Sequence, residues 1–183
     1  MRGEDDGVFA TVLKCANYEC SQGVSILGDY SSRLIDSSYA TEVDYTVRDF
    51  HPALLLINVP VSAPEPIKDA LQRSFALYWR DPQSCAGAIR TAIEGIAEKL
   101  GQPAQLGGRF ISLGNRLKKL KATHPDLVEA AEAIKGIGNA GAHGGAVDRP
   151  KLLTAFELLE LELRRLFSDD ATRRQELIQQ LRT

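Results

Sequence analysis

"PVSAPEP", residues 60–66, divides the chain into two kinds of sequence. Its prolines remove backbone donors and bias the residues before them away from the helical region, so no strand or helix is expected to run through. Outward from this stretch the hydrophobic period changes. It is close to two on the N-terminal side and close to 3.6 on the C-terminal side. The expected fold is therefore α+β and mainly α. A small β subdomain covers residues 1–62, and an antiparallel bundle of four to five helices covers residues 63–183.

On the N-terminal side, "VFATVLK" (8–14) alternates and is rich in β-branched and aromatic residues, as a half-buried strand requires. "GVSILG" (23–28) follows across a knuckle and completes a hairpin. "EVDYTV" (42–47) alternates again, with Val43, Tyr45 and Val47 on one face. The continuous apolar run "ALLLINV" (53–59) ends at Pro60 and has the length of a buried strand, with a helix as the alternative that periodicity leaves open. "DYSSRLIDSS" (29–38), polar and rich in serine, reads as a loop.

On the C-terminal side, Ile67, Leu71, Phe75 and Tyr78 share one helical face. Pro82 sits in the first turn of the next helix, where its missing N–H costs little. Cys85, Ala88, Ile89, Ala92, Ile93, Ile96 and Leu100 then form a broad apolar stripe that stops at Gly101. "RFISLGNRLKKLK" (109–121) points Phe110, Leu113, Leu117 and Leu120 inward, and its lysines read as a solvated face. A helix starts afresh after Pro125 with Leu127, Ala131 and Ile134. Asp148 is placed to cap "RPKLLTAFELLELELRRLF" (149–167). The leucines of that helix exceed one narrow face, which suits a central helix or a helix that meets a second subunit.

The composition is that of a globular protein, with 44% hydrophobic and 25% charged residues. A formal net charge of −2 argues against the whole surface attracting nucleic acid. No apolar run approaches the length of a membrane helix, and "MRGEDDG" has no apolar core of a secretory signal, so a cytoplasmic protein is expected. Three cysteines show no disulfide framework. Cys15 and Cys20 in "CANYEC" resemble one knuckle of a zinc ribbon, but tetrahedral closure needs four ligands and no second knuckle follows. The β subdomain is thus expected to be a degenerate ribbon, with no metal and no cofactor.

The residues that ask for a chemical explanation lie in the helical part. Arg90 and Glu94 stand one turn apart on an otherwise apolar helix. They are either an exposed i,i+4 ion pair or a polar pair held in the interior. "GIGNAGAHGG" (136–145) carries five glycines, Asn139 and His143 between two helices. Glycine suits a tight corner, where Asn139 would cap backbone groups and His143 would satisfy a carbonyl. His143 also has the ordinary pKa of a general acid or base near neutral pH.

"CAGAIRTAIEGIAEKLG", "IKGIGNAGAHGG" and "LLTAFELLELELRRLF" together resemble the bacterial domain-of-unknown-function 4145 family, associated with restriction and phage-defence proteins. That family is similar to the HEPN superfamily of helical bundles. The resemblance covers about residues 60 to 168, and the β leader with its cysteine knuckle resembles that of many members. It implies a HEPN-like bundle that forms a homodimer. In active HEPN ribonucleases, which are metal-independent, an arginine precedes the motif histidine by four to six intervening residues, often with asparagine directly after it. Asn139 and His143 match two members of that motif as candidate catalytic residues. Gly136, Ile137 and Gly138 stand where the arginine belongs, and Lys135 lies one residue too far. The resemblance therefore implies a non-catalytic interaction module that takes a protein, nucleotide or RNA partner through residues 136–145. Arg90, Glu94 and Lys135 are its candidate binding residues. The alternative is a ribonuclease with His143 as general acid/base.

Overall fold

The computed structural model describes residues 5–16, 19, 22–35, 40–142, 147–168 and 177–182, with the backbone alone at 40 and 138–142. The N-terminal part is an antiparallel three-stranded sheet of order β1-β2-β3, with β1 at Asp5–Lys14, β2 at Gly23–Ile35 and β3 at Ala40–His51. Direct pairing places Phe9, Gly28 and Val47 on one face, and Val8, Asp29 and Thr46 on the other. Gly28 sits at a bulge in the β2–β3 ladder. A Cβ there would lie 2.3 Å from the Thr46 carbonyl and 2.5 Å from the Phe9 ring, so the close approach requires glycine. Phe9 in turn meets Tyr45 edge to face, with centroids 5.2 Å apart.

Two expectations about this half are corrected. "DYSSRLIDSS" is not a loop at its start, because β2 runs on to Ile35. Its polar residues sit in a ladder that most of the bundle does not cover, so apolar alternation is not needed there. Arg33 pairs instead with Glu42 directly across the ladder, at 2.5 Å, and Ser32 donates to the Asp5 carbonyl. "ALLLINV" is not a strand. Residues 53–59 form no ladder but run as an irregular strap along the bundle. Ile57 is buried and Ala53, Leu56 and Val59 pack against the helical core, while Leu55 points outward. The run is apolar because it covers helices, and periodicity alone does not distinguish that from a sheet interior.

The helices are α1 (Glu65–Tyr78), α2 (Pro82–Lys99), α3 (Leu113–Leu120), α4 (Pro125–Ala142) and α5 (Arg149–Phe167). Residues 177–182 are helical as well. Asp81 caps α2 by accepting from the Gln83 and Ser84 amides, with Pro82 in the first turn, and Gly101 at φ +80° ends it. Asp148 stands at the N-cap of α5 but its side chain makes no cap bond. Two short strands, β4 (Gln105–Leu106) and β5 (Arg109–Phe110), form a hairpin before α3 through Gly107 and Gly108, both at positive φ. Phe110 was expected to face inward. It belongs to this hairpin and not to the helix, and it is 76% exposed.

The bundle core is one apolar cluster around Phe75, Phe156, Leu71, Ile89, Ile93 and Leu159. The helix at its centre is α2, which packs against α1, α3, α4 and α5. The leucine-rich α5 buries Leu152, Phe156, Leu159 and Leu163 and leaves Leu153 and Leu161 exposed. The sheet is fastened to the bundle at one end. Phe50 meets the Trp79 ring at 5.1 Å, Asp49 pairs with Arg80, and Arg149 of α5 donates to the Trp79 carbonyl at 2.7 Å. No described helix is long and apolar enough to cross a membrane.

Candidate functional site

The apolar stripe of α2 rotates Arg90 and Glu94 to the flank of the helix, because Ile89, Ala92, Ile93 and Ile96 take the inner face. The two side chains remain 43% and 39% exposed, and Arg90 Nε donates to Glu94 Oε1 at 3.1 Å. Of the two readings open in the sequence, the geometry is that of an i,i+4 pair at the surface, which contributes a few tenths of a kcal/mol. Among the described residues each of the two side chains finds its partner within α2.

The first turn of α3 lies between α2 and α4. From this turn Arg116, only 2% exposed, reaches back to α2 and its following loop. Its Nη2 donates to the Glu94 carbonyl at 2.7 Å and its Nε to the Gln102 carbonyl at 2.6 Å. On the other side, a Cβ at Gly114 would lie 3.8 Å from Lys135 Nζ. The Glu94 backbone carbonyl and the Lys135 ammonium therefore both lie at the first turn of α3. Lys135 also pairs with Glu132 one turn before it, which orients the ammonium along α4.

Residues 136–145 were read as a loop, and the structure corrects the first part of that reading. The α4 backbone continues as helix through Gly136, Gly138, Asn139 and Gly141 to Ala142. Ala131 and Ile134, buried against the core, hold the helix before the glycines begin. Glycine raises the cost of a helix without forbidding it, so packing outweighs propensity here. Asn139 thus stands one turn after Lys135, in the last turn of α4. Its side chain and the whole of His143 lie outside the described residues. Among the described residues Gly136 has nothing within 4 Å of its Cβ direction, so no described neighbour requires a glycine there.

The cysteines divide by environment. Cys15 directly follows β1, exposed, with its amide donating to the Gln22 carbonyl, and Cys20 lies outside the described residues. Cys85 is fully buried in the first turn of α2, and burial pushes its thiol up to about 12, so it serves as core. Among the described residues no group of three or more His, Cys, Asp or Glu is placed to hold a metal ion.

Sequence reasoning missed two polar arrangements. One is Arg116, which stands in a run whose lysines read as a solvated face. The leucines on either side of it, Leu113, Leu117 and Leu120, are the signal that position 116 lies at the edge of the inner face. The other is a cavity of about 260 Å³ at the start of α4, lined by Thr123, His124, Asp126, Glu162 and Arg165. Arg165 bridges Asp126 at 2.8 Å and the nearly buried Glu162 at 3.4 Å, tying α5 to α4. The hydrogen bond to Asp126 and the Glu162 charge hold its guanidinium above the ordinary pKa. His124 Nδ1 lies 2.9 Å from Thr123 Oγ1.

Against known proteins, a family model described as "Domain of unknown function (DUF4145)" matches residues 72–181. That span takes in α2 to α5, and with them Arg90, Glu94, Arg116, Lys135, Asn139 and His143. No curated protein and no solved structure gives a significant match.

Proposed function

We propose, from the premise that this chain belongs to the DUF4145 family, that it is a non-catalytic, HEPN-like interaction module. In this reading it serves a bacterial defence or nucleic-acid-related system and forms a homodimer. Its partner is a protein, a nucleotide or RNA, taken up at the end of α4 and the segment that follows, residues 136–145. The observation that carries the reading is the placement of charge beside glycine. Lys135 Nζ stands beside Gly114 of α3, and α4 goes on from Lys135 into Gly136, a glycine that no packing contact among the described residues requires. A helix weakened at its end, next to the Lys135–Glu132 pair, can adjust to a ligand while its first half stays held by the core.

Gly136, Ile137 and Gly138 also support a non-catalytic reading. No guanidinium stands in the motif position that would stabilise a phosphorane, and loss of one such donor costs on the order of 10²–10³ in rate. Lys135 offers a point charge without the planar fork of arginine.

The test has two arms. Mixed RNA incubated with the purified protein in EDTA is expected to stay intact. Cleavage by the wild type that disappears in His143→Ala would overturn the non-catalytic reading in favour of a metal-independent ribonuclease. In the second arm, labelled single-stranded RNA and a labelled nucleotide analogue are titrated and followed by anisotropy. Binding that Lys135→Ala and Asn139→Ala both weaken is expected. Binding unchanged in both variants would sink residues 136–145 as the site.

A further inference from the structure

Among the described residues the sheet has two free edges, and they differ. The β3 edge is guarded in the ways that natural sheets use against pairing. It bends at the bulge opposite Leu27 and Gly28, and carries Glu42, Asp44, Arg48 and Asp49 along its length. The β1 edge has none of this between its ends. Its register with β2 is unbroken from Asp5 to Lys14. Gly7 to Leu13 includes no charge and no proline, and Val8 and Val12 are 81% and 68% exposed. Among the described residues no strand pairs with the outer side of β1.

We infer that β1 is the pairing edge for a second copy of this chain, joined antiparallel about a twofold axis through Ala10 to give one six-stranded sheet. The charge pattern of β1 selects this occupant and this register. A twofold axis normal to the sheet keeps each residue opposite one of the same face, so the two partners' residue numbers must sum to an even value. Centring on Ala10 sets Asp6 against the partner's Lys14, and Lys14 against the partner's Asp6. It also sets Val8 against the partner's Val12, and Ala10 against the partner's Ala10. All of these side chains lie on the exposed face away from Ile26. A parallel pairing in register would instead oppose each aspartate to its own copy, which is unfavourable. The strand is thus complementary to itself in charge and in apolar content, in one orientation. This surface is separate from residues 136–145, and a chain whose α4 end binds nothing would still pair through β1.

Light scattering after size exclusion tests the inference. The wild type is expected at twice the mass of the chain. Asp6→Lys and Lys14→Asp each turn two attractions into two repulsions and are expected to weaken the dimer about ten-fold at low salt. The double variant restores opposite charges and is expected to recover it. A monomeric wild type, a dimer indifferent to both reversals, or a double variant no tighter than the singles would overturn the assignment. Both positions are exposed, and unchanged far-UV circular dichroism controls for folding. A second measurement fixes the register. With Cys15 and Cys20 replaced by serine, Ala10→Cys is expected to form a disulfide-linked dimer on oxidation. Cα atoms opposite each other across an antiparallel ladder lie about 5 Å apart, within disulfide reach. Val43→Cys on the β3 edge is expected to stay unlinked, and the reverse outcome would overturn the proposal.

Discussion

At the scale of single residues, polar groups decide more than their position in a charged run suggests. Arg116 stands among Lys118, Lys119 and Lys121, yet only Arg116 is buried, and its fork joins α3 to two carbonyls of the α2 region. Arg116→Ala would leave both carbonyls without a donor in the interior. A loss of about 2–4 kcal/mol is expected in urea unfolding, because the bonds are charge-assisted and buried. Alanine at Lys118, Lys119 or Lys121 is expected to stay within about 0.5 kcal/mol, as surface changes do. Equal effects at all four positions would contradict the assignment. Asp81 carries a pH-dependent contribution. Its carboxylate accepts from the Ser84 hydroxyl and from the Ser84 and Gln83 amides, which hold its pKa below the ordinary value. A carboxylate depressed in the folded state stabilises above its unfolded pKa and loses that contribution as pH falls through the folded one. Asp81→Ala is therefore expected to cost about 1 kcal/mol at neutral pH. The gap to wild type should close in strongly acidic buffer, and a gap that widens there would refute the cap.

At the scale of elements, the helices were legible and two apolar or polar runs were not. The starts and stops of α2 follow from Pro82 and Gly101, and the inner faces of α1 and α2 from their spacing. The strap at 53–59 defeated the same reasoning, since a run apolar on every side records burial but not which element does the burying. The glycine-bearing end of α4 defeated it in the opposite direction, since propensity pointed to a corner while packing of the preceding turns sustained a helix. Of the candidate site, the pairing of Arg90 with Glu94 was legible, but the part of α3 and Arg116 in holding that region was not. Three glycines separate the reasons for which helices keep them. Gly95 faces Ile67, whose Cγ1 would lie 3.0 Å from an added Cβ, whereas Gly87 and Gly136 meet nothing within 4 Å among the described residues. Gly95→Ala is expected to destabilise by about 1–2 kcal/mol through crowding of α1 against α2. Gly87→Ala and Gly136→Ala are expected to stabilise by about 0.5–1 kcal/mol, measured by urea midpoint. If Gly136→Ala also weakens RNA or nucleotide binding while Gly87→Ala does not, the glycine at 136 is kept for adjustment of the site. A destabilising Gly136→Ala would mean that the end of α4 is not helical in solution.

At the scale of the molecule, the two halves differ in how they are held. The bundle has a continuous core from Ile57 to Leu163, while in the described sheet only Ile26 and Gly28 are buried. The sheet therefore depends on its ladder, on the rings of Phe9 and Tyr45, and on the Phe50, Trp79 and Arg80 junction. Three strands without a core of their own are of marginal stability, so the sheet is expected to release before the bundle unfolds. The single tryptophan, Trp79, sits at that junction and reports the release directly. In urea, its fluorescence is expected to change at lower denaturant than the helical signal at 222 nm. Phe50→Ala should move the fluorescence transition further down and leave the helical one nearly in place. Coincident transitions in the wild type would mean that sheet and bundle form one cooperative unit. Concentration then connects this behaviour to β1. Pairing of two sheets stabilises only the docked, folded strand, so mass action should raise the fluorescence midpoint as protein concentration rises. The helical midpoint, governed by the bundle core, should move less. In Asp6→Lys, where the paired edge is set against itself, the rise of the first transition should begin at about ten-fold higher protein concentration, and a rise unchanged from wild type would place the dimer contact on the helices.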